Sequence, residues 1–148
     1  MTRFILMYMG VLPFLGCTIV LAETGIDMPF GLDAHQVIRT YTLVIGSFMA
    51  GVYWGQHLNL PTLHQKILII ISNIAALNFW FFYLFLSKSV FLVSAALLFL
   101  VILAIDLLMA QRQFIEKTYA GHRVVVTILV IASLVLSSFL ISDSALPK

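Results

Sequence analysis

The apolar residues of this chain fall into five runs, at about 4–22, 39–57, 67–86, 90–110 and 124–141, with little sequence between them. A helix rising ~1.5 Å per residue needs roughly 20 predominantly apolar residues to cross a ~30 Å hydrocarbon layer, and each run approaches that length. Composition agrees: 62% of the 148 residues are hydrophobic and 9% charged, with a mean hydropathy of +1.11. Such a chain cannot present a water-compatible surface. The expectation is an all-α membrane protein, one membrane domain over residues 1–148 built as a five-transmembrane-helix bundle in the lipid bilayer. A net charge of +2, with no basic patch interleaved with aromatics, argues against a nucleic-acid partner. The single cysteine, Cys17, rules out an intramolecular disulfide framework and reads as core bulk.

The first run serves either as helix one or as a cleaved signal. Its length beyond the usual ~7 to 15 residue signal core favours the helix, although Phe14-Leu15-Gly16-Cys17 faintly resembles a lipoprotein cleavage box. Pro13 cannot donate to the Met9 carbonyl, which predicts a kink near mid-membrane, read first as a packing kink and alternatively as a broken helix beside a ligand. Residues 23–36 carry Glu23, Asp27 and Asp33 with Gly25, Pro29 and Gly31, the chemistry of an acidic loop. Arg39 is expected to snorkel to the headgroups. His57 and His64 are too far apart in sequence for a metal pair on one helix, and no metal site is expected. Helices three and four, joined by Ser87-Lys88-Ser89, must form an antiparallel hairpin. Asn73 and Asn78 are expected to hydrogen-bond across to another helix.

Asp106 needs a partner, because a carboxylate inside a transmembrane helix costs several kcal/mol unless paired or hydrated. Two readings serve it: an ion pair with Arg123 at a shared helix end, or snorkelling to water. Arg3, Lys66, Arg112, Lys117 and Arg123 gather on one side, whereas Arg39, Lys88 and Lys148 fall on the other with most of the acids. The positive-inside rule then makes the N-terminus cytoplasmic and the C-terminus periplasmic.

The richest stretch is Tyr41 to Gly55, YTLVIGSFMAGVYWG. Ser47, Gly51 and Gly55 recur every fourth residue, predicting a smooth ridge for close helix packing, with Pro13 as a second packing residue. Trp54 and His57 share a face, and Asp106, Tyr119 and Arg123 are expected at the same level from neighbouring helices. These five form a candidate polar cluster that reads either as a ligand site or as an aromatic belt with one ion pair.

The stretch resembles the signature of the domain of unknown function 3429 family, relatives of transmembrane protein 69. Members commonly show a Tyr-Gly segment ending in Ser-Phe-x-Gly-Gly-Val-His/Arg-Trp-Gly. Tyr41, Ser47, Phe48, Gly51, Val52, Trp54 and Gly55 match that pattern. Gly10, Pro13 and Phe14 are similar to the family's Gly-x-x-Pro-Phe start, and Asp106, Tyr119, Arg123 and Thr127 to its C-terminal pattern. Thr42 and Ala50 stand where glycine is common, and Tyr53 where His or Arg is common. The resemblance implies a multi-pass protein of the bacterial inner (cytoplasmic) membrane or of mitochondria, and implies no particular activity.

No paired catalytic carboxylates, nucleophile with base, metal triad or phosphate loop stands out, so an enzyme is the weakest reading. A non-enzymatic bundle that binds or helps assemble a membrane-protein partner comes first. A carrier or sensor of a small amphiphilic ligand, a quinone, porphyrin or lipid, is the alternative. The sequence names no cofactor.

Overall fold

A computed structural model describes residues 2–23, 28–56 and 62–144, with the side chains of residues 2, 3, 56, 62 and 142–144 outside that description. Among the described residues six α-helices and one 3₁₀ turn follow in order: α1 Thr2–Met9, α2 Leu12–Ala22, the turn Pro29–Gly31, α3 Ala34–Gln56, α4 Thr62–Phe85, α5 Lys88–Gln111 and α6 Lys117–Ser144. Neither Asp27 nor His57 is among the described residues, so expectations about them lie outside the structure.

Among the described residues, four stretches are long and apolar enough to cross a membrane: Phe4–Ala22, Leu63–Phe85, Lys88–Gln111 and Lys117–Ile141. This corrects the expectation of five. The exception is α3, whose apolar residues are diluted by Arg39, Thr40, Thr42, Gly46, Ser47, Gly51 and Gly55. It is nevertheless as long as its neighbours. Arg39 and Ala50 meet Tyr83 and Ser72 of α4 in antiparallel order. Arg39 and Tyr53 meet Phe91 and Asp106 of α5 in parallel order. Tyr8 and Thr18 meet His122 and Ser137 of α6, again in parallel order.

The expected kink is a full break between α1 and α2. Pro13 falls in the first turn of α2, where its missing N–H costs least. The chain tightens there through a Val11 N–H donated to the Tyr8 carbonyl at 3.0 Å. The break leaves the Gly10 carbonyl to the Tyr41 hydroxyl, which donates to it at 3.0 Å. Further along, α2 and α6 are joined by hydroxyls: Thr18 and Ser137 lie 3.0 Å apart, and Thr18 also donates to the Phe14 carbonyl at 2.8 Å. Polar bonds of this kind hold helices together where lipid removes the hydrophobic drive.

The smooth ridge of α3 lies one residue away from its predicted position. Ser47 is half-buried, whereas Gly51 and Gly55 are exposed with nothing near the place a Cβ would occupy. The buried face runs through Ile38, Thr42, Ala50 and Tyr53, with Gly46 between them. A Cβ on Gly46 would stand 2.5 Å from the ring of Phe79, itself fully buried and 5.2 Å from Phe99. Ser72 of α4 seals the contact by donating to the Ala50 carbonyl at 2.7 Å. The period was legible but the register was not, since two small-residue rows, 42/46/50 and 47/51/55, lie side by side on one helix.

Two other expectations change. Asn73 and Asn78 do not reach across; each donates to its own helix, at the carbonyls of Ile69 (2.9 Å) and Ile74 (2.8 Å). Arg39 is half-buried and turned onto α4. Its guanidinium donates to the Tyr83 carbonyl at 3.0 Å and lies 4.9 Å from the Tyr83 ring centroid, a cation–π arrangement.

Candidate functional site: a buried Tyr-Asp-Arg network beside a cavity

The helix α6 begins at Lys117, seven residues before the predicted 124, and this places Arg123 within the helix rather than at its edge. Ala120, Arg123, Val126, Thr127, Val130 and Leu134 then form its buried face, at the spacing of an inward helical stripe. From α5, Asp106 points into the same interior. The Arg123 Nε donates to Asp106 Oδ2 at 2.8 Å, with the two residues 5% and 2% exposed. Of the two readings for Asp106, the ion pair is the one that forms.

A third member comes from α3. Tyr53 is 1% exposed, and its single hydroxyl proton is shared between the Ile102 carbonyl at 2.9 Å and Asp106 Oδ1 at 3.2 Å, so each carboxylate oxygen faces a donor group. Shared donors and the opposite charge are what allow a carboxylate to remain in so dry a place. Sequence reasoning missed Tyr53 because it stands where His or Arg is common in the pattern. The usable signal was that His, Arg and Tyr all donate a hydrogen bond.

Arg123 also donates from Nη1 to the sulfur of Met49 at 3.1 Å. A thioether is a weak acceptor, and a guanidinium has more N–H groups than these two contacts use. The same residue lines a cavity of about 300 Å³ bounded by Leu6, Met7, Gly10 and Phe14 of the first span, Ile45, Phe48 and Met49 of α3, Phe99 of α5, and Val126, Thr127 and Val130 of α6. The walls are apolar except at Arg123 and Thr127. This is the arrangement of a small-ligand pocket: an apolar body with few polar groups placed to orient what enters.

The predicted cluster is therefore only partly assembled. Asp106 and Arg123 meet, and Tyr119 lies half-buried one turn before Arg123 on α6. Trp54 is 49% exposed on the bundle surface, because its neighbour Tyr53 takes the inward position. His57 falls outside the described residues. Pro13 is half-buried beside the break and leaves the lining to Gly10 and Phe14. Among the described residues, no three His, Cys, Asp or Glu side chains gather as a metal-binding group.

No curated protein and no solved structure matches this chain. A family model described as "Protein of unknown function (DUF3429)" matches residues 2–139. That span takes in the Gly10-Pro13-Phe14 break, Tyr53, Asp106 and Arg123, and the chain belongs to this family of proteins of unknown function.

Proposed function

We propose that this chain is a non-enzymatic membrane bundle that binds a small, uncharged amphiphile in the cavity beside Arg123. The carrying observation is the guanidinium at the edge of an otherwise apolar cavity, with a weak thioether acceptor on its Nη1. Charge narrows the ligand. Arg123 and Asp106 cancel, so a carboxylate or phosphate would add an uncompensated charge in a dry interior, whereas a neutral carbonyl would accept a hydrogen bond without that cost. A quinone or the ester end of a lipid fits this chemistry better than a porphyrin with its acidic side chains. Purification in mild detergent followed by absorbance and mass spectrometry tests the reading. A recurrent carbonyl-bearing amphiphile, lost on Phe99→Trp, is expected; clean, empty protein across several detergents refutes it.

A second reading, a bundle that engages a membrane-protein partner, is favoured by the outward row of Ser47, Gly51 and Gly55, where a foreign helix could approach closely. Crosslinking in native membranes should recover one recurring neighbour, and only abundant bystanders would count against it.

For orientation, we propose a bacterial inner membrane with the Asp106 end cytoplasmic. His64 of α4 pairs with Arg112 of α5, and Phe4 of α1 stacks on His122 of α6, so the ends bearing Arg3, Lys66, Arg112 and Lys117 coincide. The helix directions support a C-terminus on the far side from the Asp106 end. A reporter joined at Lys148 that reads cytoplasmic would overturn this.

A further inference from the structure

A second cleft, of about 280 Å³, opens between the start of α4 and the end of α5, away from Arg123. Its floor is aliphatic, with Leu68, Ile71 and Ile105 among its residues, and two nitrogen-bearing side chains, His64 and Arg112, line it together with Phe114. Arg112 Nη1 lies 3.0 Å from His64 Nε2. A guanidinium can only donate, so Nε2 accepts, and in the neutral imidazole the ring proton must sit on Nδ1. That Nδ1 is buried and has no acceptor among the described residues. An N–H left in this state asks for an oxygen from outside the chain.

The surroundings indicate which kind of oxygen. Arg112 is the C-cap of α5 and is exposed. Lys66 and Lys117 are exposed at the same end of the bundle, with Glu116 as the acid of the intervening segment. The cleft therefore sets the Arg112 guanidinium above an aliphatic floor at a helix end, the form of basic interhelical sites that hold anionic lipid headgroups.

We infer that this cleft binds an anionic phospholipid, its phosphate on Arg112 and His64 Nδ1–H and an acyl chain along Leu68, Ile71 and Ile105. The site is separate from the Arg123 cavity and carries the opposite preference in charge, so the failure of one leaves the other standing.

The test uses the full chain in mild detergent, titrated with phosphatidylglycerol, phosphatidylcholine or inorganic phosphate, and read by native mass spectrometry and by thermal unfolding. Phosphatidylglycerol should bind more tightly than phosphatidylcholine and raise the unfolding midpoint. Arg112→Gln should weaken its binding about fivefold, the effect of one basic residue near a lipid surface. Ile71→Phe, which narrows the cleft while keeping Arg112 and His64, supplies the second variant and should lower occupancy without abolishing the charge preference. Equal binding of the two lipids, or phosphatidylglycerol binding unchanged in both variants, overturns the proposal. A full response to inorganic phosphate alone would assign the rim to a free anion and overturn the lipid reading.

Discussion

Replacing Asp106 by Asn tests the central packing element most directly. The exchange keeps the shape of the side chain and one acceptor oxygen for Tyr53, but leaves the Arg123 charge without its counter-ion. Water cannot compensate, since the two residues are 2% and 5% exposed. Breaking a buried pair by neutralising one partner typically costs about 3–5 kcal/mol, and insertion scales charge about 2.5–3.5 kcal/mol for a lone Arg at the centre of a membrane helix. The pair sits nearer a helix end, so a loss of about 3 kcal/mol is expected. Arg123→Gln alone should also destabilise, by leaving the carboxylate with only the Tyr53 hydroxyl. In the double variant the two amides can bond to one another, and its loss should stay close to that of Asp106→Asn alone. The measurement is unfolding in mixed micelles of mild and denaturing detergent, followed by far-ultraviolet circular dichroism on all four proteins of the cycle. A coupling of about 2–3 kcal/mol is expected. Losses that add to within about 0.5 kcal/mol, the range for independent sites, would falsify the coupled network.

Other substitutions probe the remaining joints. Gly46→Ala should cost about 1–3 kcal/mol through overpacking against the fully buried Phe79, and Phe79→Leu should recover part of it; Gly51→Ala, with open space around it, should be neutral or gain up to about 1 kcal/mol of helix propensity. The same micelle unfolding assay decides, and equal effects at both glycines would contradict the register of α3. Tyr41→Phe removes the hydroxyl that holds the Gly10 carbonyl, so hydrogen exchange over α1 should accelerate by roughly the factor that about 1 kcal/mol implies, and unchanged protection would refute that anchor. Tyr53→Phe should lose about 1–2 kcal/mol while Tyr53→His retains more of the stability, because His keeps a donor for Asp106; equal losses would mean that ring packing rather than the hydroxyl matters.

How much of this was legible in the sequence varies with the physics involved. The helices were, because a bilayer demands long apolar runs with satisfied backbones and leaves few other ways to arrange them. The Asp106–Arg123 contact was legible for a related reason: a charge in lipid must find its opposite, and few candidates existed. The place of α3 was harder to read, since a helix held by close neighbours needs less apolar surface than one facing lipid, and its Gly46 and Thr42 serve packing. The choice between its two small-residue rows depended on where Phe79 of a different helix lands. Helix period carries no information about that.

Tyr53 shows where such reading stops and what extends it. By polarity alone it belongs to an aromatic belt with Trp54, and only the rotation of α3 separates them, sending Tyr53 to Asp106 and Trp54 to the surface. That rotation is set by the side of the helix that carries Ile38, Thr42, Gly46 and Ala50, from about one to four turns away. The same rotation brings Met49 to Arg123 and opens the cavity to Ile45 and Phe48. Packing at Gly46 and chemistry at Arg123 are therefore one problem. A bulky residue at position 46 should turn or displace α3 and loosen the Tyr53–Asp106 bond at a distance, and a Gly46→Leu protein that keeps full ligand occupancy would break that link.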